Sequence, residues 1–459
     1  MTTGPTGMVR YVVPEEAGEV SICDITPTIL DFFLKKGFHG LEKVEGGTLN
    51  GKIELTNIFT TPFKDFCGQP LTEIIEDRIN IDLSDLNRII VILVDGLSFK
   101  EFFKCGKDFY RKNQPEIIPA MTVFPSMTVT ATTSLFTGVF PFLHGVITDK
   151  FYDCNSEQIV YFMPRSTEKA RYVFPLALTI TDYAIDPVFE ANYKVSLVSA
   201  GISHNDKIGR NFITDFFGQE FEVTGDYVAE KSNKRAFQET KGLLRKYYAN
   251  DSNFVLFVRF TIDWLTHRFG INSAKSIAEA KAIFDFITLL AKEASHLWPD
   301  KRTLFLVTSD HGHKSADGGL VTISDIKDRI KKEYQHIISN QSVLHFYDEL
   351  YRALILKSKR NPIVGYIRKD GHNFLAFDVE EKRWTKVTTF YPEEMPVFSL
   401  YYNKFGVGYT VGEFILIADN FYFGSKQRSE YPKGYLNLRG IHGGISICEI
   451  NVPLLFWCL

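Results

Sequence analysis

Four side chains of the kinds that bind divalent cations stand where apolar stretches of the chain stop, and two histidines are placed to join them. Asp95 follows Ile89–Val94, Asp263 follows Phe254–Ile262, and Asp310 and His311 follow Thr303–Thr308 within Ser309-Asp310-His311-Gly312. His267 comes four residues after Asp263, so one helical turn would bring both to the same point. His442 lies in Gly440-Ile441-His442-Gly443-Gly444, a turn supple enough to let a side chain reach inward. Three carboxylates and three imidazoles without a cysteine make an oxygen and nitrogen ligand set. That set suits two divalent metal ions, zinc first, with manganese or iron as alternatives. Two such cations against three carboxylates leave one positive charge over, enough to hold an anionic substrate. Any one of these aspartates by itself would ordinarily be a turn residue or a helix cap. It is their joint occurrence at the ends of apolar runs that points to a site.

The segment from Val123 to Gly145 offers a nucleophile. Seven serines or threonines fall between Ser126 and Thr137. Such residues are poor in a helix interior and good at its start. A helix opening near Thr128 and closing at Thr137-Gly138 would place Thr128 at an N-terminus, where free N–H groups and the helix dipole favour a phosphate. The alternative is a buried threonine-rich helix whose hydroxyls bond back to its own backbone.

The elements needed to position these groups can be read from the apolar pattern. Ile89–Val94, Lys194–Ala200, Phe254–Ile262 and Thr303–Thr308 are continuous apolar runs, as expected of strands buried on both faces of a parallel sheet. Ser273–Leu297 carries apolar residues at helical spacing, Lys231–Tyr248 is a second helical candidate, and Pro27–Phe33 is a short one. Strands alternating with helices predict an α/β fold, a mostly parallel sheet flanked by helices, with ligands beyond the carboxyl ends of the strands. After about residue 320 the texture changes. A hairpin is expected around Lys369-Asp370-Gly371-His372, and Phe398–Phe423 reads as further strands. The expected organisation is a lead-in over 1–86, a core over 87–320, a smaller α+β insertion over 321–425 and a return to the core over 426–459.

Composition narrows the function classes. The chain has 459 residues, 45% of them hydrophobic and 23% charged, with Phe 40 and Tyr 21, which excludes disorder and low-complexity designs. The net charge of -3 gives no bulk attraction for nucleic acid or an anionic membrane. No segment approaches the roughly 18 apolar residues of a membrane span. The first twenty residues lack an apolar signal core, and the six cysteines are scattered without a Cys-x-x-Cys. Free thiols in a reducing cytoplasm are therefore expected. Nothing in the sequence sets an oligomeric state.

Taken in order, Val94-Asp95-Gly96, Phe124–Gly138, His144-Gly145-Val146, Asp263-x-x-x-His267, Ser309–Gly312 and His442-Gly443-Gly444 resemble the alkaline phosphatase superfamily, most closely its nucleotide pyrophosphatase/phosphodiesterase branch. The resemblance covers roughly 87–320 and the last 30 residues. It implies an alkaline phosphatase-like core and a hydrolase acting on phosphodiester or pyrophosphate bonds of small, nucleotide-type substrates. It implies Thr128 as the nucleophile that forms a covalent phospho-threonine. Asp95, Asp310 and His311 would hold the cation that activates Thr128, and Asp263, His267 and His442 the second one. His144 matches a structural turn, and His313 is expected in an outer layer or at the surface. The branch often carries Asn at the position held here by Asp149. An ionised carboxylate there would repel a phosphate unless Lys150 or a cation compensates it, so Asp149 and Lys150 are candidate substrate contacts. A phosphomonoesterase or phosphonate hydrolase on the same site, or a binding module that keeps the fold without catalysis, are the alternative readings. A sulfatase is disfavoured, since no Cys or Ser stands in a Cys-x-Pro-x-Arg context.

Overall fold

The computed structural model describes residues 20–37, 57–60, 67–144, 146, 148–153, 158–161, 195–200, 222–224, 254–259, 261–299, 302–322, 324, 336–347, 367–370, 373–378, 383–387, 389–390, 397–401, 414–418, 422–424, 428–431, 433, 435–444 and 446–459. The helices among them are α1 (Ile25–Lys35), α2 (Thr72–Ile79), α3 (Phe99–Cys105), α4 (Lys107–Asn113), α5 (Thr128–Thr137), α6 (Pro141–His144), α7 (Thr261–Phe269), α8 (Ala274–Leu297) and α9 (Ile447–Ile450). The strands that frame the site are β1 (Arg88–Val94), β2 (Glu116–Met121), β3 (Val195–Ala200), β4 (Glu222–Thr224), β5 (Phe254–Arg259), β6 (Thr303–Thr308), β7 (Leu320–Thr322), β8 (His336–Asn340), β9 (Val343–Tyr347), β10 (Tyr422–Gly424) and β11 (Asn451–Cys458).

The main sheet runs β2-β11-β6-β1-β5-β3-β4. β1 pairs in parallel with β5 and with β6, and β3 and β4 continue the parallel array beyond β5. β11 returns antiparallel to β6, and β2 lies antiparallel to β11. The sheet is therefore mixed, with its parallel strands at and beyond the centre. β1 has no polar face because both faces are covered. Ile89, Val91 and Leu93 enter one core with residues of α1 and α5, while Ile90, Ile92 and Val94 enter a second with Ile283, Phe284, Ile287 and Leu290 of α8.

Local signals set the helix ends. Ser273 caps α8 by accepting the Ser276 amide (3.1 Å), and Ser98 and Glu101 form a reciprocal capping box on α3. α5 spans the interval read from the sequence and stops at Gly138, whose φ of 69° is cheap only for glycine. One boundary differs. The apolar run ending at Asp263 is not one strand: β5 stops at Arg259 and α7 begins at Thr261, so Asp263 lies in a first helical turn. Apolarity alone does not separate a buried strand from the helix that follows it.

Beyond the core, β8 and β9 form a hairpin that pairs with Phe414–Ala418, and Ile367–Asp370 pairs antiparallel with Asn373–Asp378 as expected around residues 369–372. β7 and β10, at the two ends of the expected insertion, pair in parallel. The helical candidate Lys231–Tyr248 lies outside the described residues. Truncating Ile92, fully buried in the central strand, to alanine should cost about 2–5 kcal/mol. This would be read as a lower denaturation midpoint at an unchanged slope.

Candidate metal centre

Each candidate ligand is delivered by the end of an element. Asp95 follows β1, and Asp310 and His311 follow β6, its parallel neighbour. Asp263 and His267 share one face of α7. His442 lies beside Gly440–Ile441, which pairs with Lys314–Ser315 just after the Asp310–His313 stretch. Four sequence-distant segments thus meet at the carboxyl edge of the parallel strands, where open α/β sheets place ligands.

Two groups of side chains result. In the first, Asp95, Asp310 and His311 are all buried. His311 Nε2 lies 3.5 Å from Asp95 Oδ1 and 3.5 Å from Asp310 Oδ2. Those two carboxylate oxygens are buried without a hydrogen-bond partner. Asp310 Oδ1, by contrast, accepts the amides of Gly96 (3.1 Å) and His311 (2.8 Å), which fixes the direction of the other oxygen. The Thr128 hydroxyl, at the first turn of α5, lies 2.9 Å from His311 Nε2. Other threonines of α5 behave differently. Thr132, Thr133 and Thr137 donate to the carbonyls of Thr128, Val129 and Thr133. Both readings of this segment therefore apply, to different residues.

In the second group a single oxygen, Asp263 Oδ1, faces three imidazoles: His313 Nε2 at 2.9 Å, His267 Nε2 at 3.1 Å and His442 Nε2 at 3.4 Å. Each of those rings sets its Nδ1 against a backbone carbonyl. His267 uses Gly440 O (2.7 Å), His442 uses Ser126 O (3.0 Å) and His313 uses Gly96 O (3.1 Å). His311 does the same with Gly312 O (3.0 Å). A ring that donates Nδ1–H to a carbonyl carries its lone pair on Nε2, the arrangement that orients metal-binding histidines. Four Nε2 atoms, each able to give a lone pair once it is free of a proton, and two partnerless carboxylate oxygens fit a pair of divalent cations. The His311 and His442 rings stack at 3.8 Å and join the two groups.

Burial makes the first group electrostatically expensive. It pushes Asp95 well above the usual carboxylate range, with the charges of Asp310 and Asp263 adding to the effect. Burial likewise pushes Asp310 up to about 7. It pushes His311 down to about 3 and His442 well below its ordinary value. Asp263 goes the other way. Burial raises it, but the attraction and hydrogen bond of His267, with the His313 contact, outweigh burial and hold it well below the ordinary value. His267 is raised in turn, because Asp263 outweighs burial.

The structure brings together Asp95, Thr128, Asp263, His267, Asp310, His311 and His442. It corrects the expectation of a peripheral His313, which is buried and faces Asp263 with the others. The clue lay in the spacing, since residues two apart in an extended segment share a face. Gln341 had no sequence signal. It sits in the two-residue turn between β8 and β9, with Nε2 at 3.1 Å from His442 Nε2 and 3.3 Å from His267 Nε2. His144 is buried, with Nε2 2.8 Å from Ser134 Oγ, as a structural residue would be. Asp149 is half-buried, accepts the Thr148 hydroxyl (3.3 Å) and belongs to neither group. The Lys150 carbonyl accepts Asn340 Nδ2 (3.3 Å), one residue before Gln341, so that segment borders the site through the β8–β9 hairpin.

Comparison with known proteins adds a family. The family model for type I phosphodiesterase/nucleotide pyrophosphatase matches residues 89–423. No curated protein sequence matches the chain. Among solved structures, the fold is similar to an inactive form of murine ectonucleotide pyrophosphatase/phosphodiesterase 5 in complex with AMP. The identity is 14%, the TM-score 0.54, and the match covers 80% of this chain and 87% of that one. The human counterpart is similar at 14% identity and TM-score 0.52, over 80% and 87% of the two chains. Phosphonoacetate hydrolase from Sinorhizobium meliloti, in complex with phosphonoformate, is similar at 14% identity and TM-score 0.51, over 81% and 90%. At such identities the likeness is one of fold, of the alkaline phosphatase type.

The raised Asp310 gives a pH test. Its folded value of about 7 exceeds the ordinary 3.8, so the folded metal-free chain keeps a proton that the unfolded chain releases. Stability of the chelator-treated protein should therefore fall as pH rises from 3.8 to about 7. Zinc at about two ions per chain should flatten that slope and raise the melting temperature. A melting curve indifferent to both chelator and zinc would count against a metal centre.

Proposed function

The chain belongs to the type I phosphodiesterase/nucleotide pyrophosphatase family and hydrolyses phosphorus esters, and on that footing we propose that it cleaves phosphodiester or pyrophosphate bonds of nucleotide-type substrates through a phospho-threonine on Thr128. The observation that carries this reading is the direction of one hydroxyl. Thr128 departs from the self-bonded threonines of its helix and turns to His311.

Asp95, Asp310, His311 and Thr128 would hold one divalent cation, and Asp263, His267 and His442 the other, with His313 beside them. Bound there, two such ions, zinc in our reading, acidify the threonine hydroxyl and neutralise charge on the entering and leaving oxygens. The chain's own residues do the rest. Thr128 Oγ1, its proton released, attacks phosphorus as the bond to the leaving oxygen breaks. The leaving group takes up a proton, and the first turn of α5 offers free N–H groups to the phosphoryl oxygens. One water then attacks phosphorus, breaks its bond to Oγ1, restores the Thr128 hydroxyl and releases the product. The carbonyl contacts of the four imidazoles prevent the rings from turning, and the 2.9 Å between His311 Nε2 and the Thr128 hydroxyl shows that both face the same point.

AMP and phosphonoformate in the similar structures support an anionic phosphorus ligand, and with it a small phosphate ester as substrate. Asp149 and Lys150 remain proposed substrate contacts at the border of the site. Phosphonate hydrolysis at the same residues is the second reading, favoured by the fold shared with phosphonoacetate hydrolase. Among the described residues no helix is long and apolar enough to cross a membrane. The thiols of Cys23, Cys105, Cys448 and Cys458, none of them in a disulfide, support our assignment to the cytoplasm.

Replacing Thr128 by alanine should lower turnover of bis(p-nitrophenyl) phosphate by roughly 10⁴-fold or more and abolish any acid-stable phosphoprotein. Wild-type protein should prefer that diester to p-nitrophenyl phosphate and to phosphonoacetate. Full activity in Thr128→Ala would refute the nucleophile, and preference for phosphonoacetate would select the second reading.

A further inference from the structure

Gln341 is the side chain at the metal centre with no role in the chemistry above. It is carried by the tight turn between β8 and β9, whose residues face one another from His336↔Tyr347 to Asn340↔Val343. Its φ is +46°, a left-handed value at the first position of a two-residue turn, where glycine would fit at no cost. A long side chain kept at a backbone position of this kind is an observation from which function is properly inferred.

The side chain is also held in one orientation. Gln341 Oε1 accepts the backbone N–H of His442 (3.1 Å). The turn is fixed to its surroundings by Ser342 N–H donating to His442 O (3.3 Å) and by Phe423 N–H donating to Gln341 O (2.8 Å). With the oxygen committed, the NH₂ end must face the Nε2 atoms of His442 and His267. When a cation takes the place of a proton on Nε2, those nitrogens give it their lone pairs, because their Nδ1–H groups are spent on carbonyls. A lone pair given to a cation is no longer available to an N–H donor. Once the second group holds its ion, the amide has two donors aimed into the centre and needs a new acceptor, since an unmet donor in a half-buried site is costly. The acceptor that belongs to such a centre is an anionic oxygen.

We infer that Gln341 is a substrate-contacting residue supplied by the β8–β9 hairpin, its Nε2 amide donating to a phosphoryl oxygen of the bound ester beside the His267–His442 pair. No bond is made or broken by it. It grips the anion and stabilises charge that grows on that oxygen. The inference rests on the phosphoryl-transfer reading above and adds the oxygen-side contact from outside the core sheet.

The test uses Gln341→Gly, which relieves the left-handed backbone while removing the amide, and Gln341→Glu, which keeps an acceptor for His442 N–H but replaces the donor with an anion. Zinc content, melting temperature, equilibrium binding of orthovanadate by calorimetry, and turnover of bis(p-nitrophenyl) phosphate are measured on each. Gln341→Gly should hold its zinc and melt no lower than wild type, yet bind orthovanadate roughly 10- to 100-fold more weakly. Turnover should fall about 10²- to 10³-fold. Gln341→Glu should bind orthovanadate more weakly still. Wild-type vanadate affinity in the zinc-loaded glycine variant would overturn the inference. So would loss of one zinc equivalent, which would make Gln341 a support of the metal instead. If wild-type protein itself bound no cation and cleaved no ester, the underlying reading would fail with it, an outcome distinct from an unaffected variant of an active enzyme.

Discussion

Three carboxylates within reach of one another, Asp95 and Asp310 buried and Asp263 half-buried, govern this molecule. A chain that takes Asp95, Asp263 and Asp310 out of water must neutralise them, because uncompensated charge in a low-dielectric interior costs several kcal/mol, as a typical figure. Two neutralising devices are visible. Asp263 is matched by imidazoles and stays ionised, whereas Asp95 and Asp310 are driven toward the protonated form. Asp95, Asp310 and His311 are buried, and a low-dielectric surrounding is what gives a positive charge its hold there. The carbonyls that receive the four Nδ1 atoms complete the arrangement by leaving the rings one orientation.

Much of this was legible in the chain. The apolar runs located β1, β3 and β6, Ser273 and Gly138 marked the ends of helices α8 and α5, and the polar residues after the runs are the ones that converge. The reasons are local: a strand covered on both faces must be apolar throughout, and a helix must be capped. What was not legible depended on long-range placement. The join between β5 and α7 is hidden because strand and helix are both apolar at that point. The inward turn of His313 is easily lost in a short motif, although its spacing of two from His311 brings the rings within 5.4 Å on one side. Gln341 could not be found at all, since it enters from the far end of a hairpin that only the assembled fold carries to the core.

That hairpin changes how the region after β6 is understood. β7 and β10 pair where the chain leaves and rejoins the core, and between them β8 and β9 reach the centre, with Asn340 touching the Lys150 carbonyl and Gln341 touching the histidines. His336 stacks on Tyr152 at 3.8 Å, which adds a second contact with the same neighbouring segment. The region is therefore a wall of the site as well as an appendage of the sheet.

Gly96 occupies a telling place between the two groups of side chains. Its N–H reaches Asp310 and its carbonyl receives His313, at φ +82°, and a methyl group on it would come within 2.6 Å of the His313 ring. One peptide-length link therefore spans both halves of the centre. Any side chain in place of its hydrogen would drive the His313 ring off Asp263 and disturb the amide held by Asp310, so a substitution at this one residue would reach both groups of side chains.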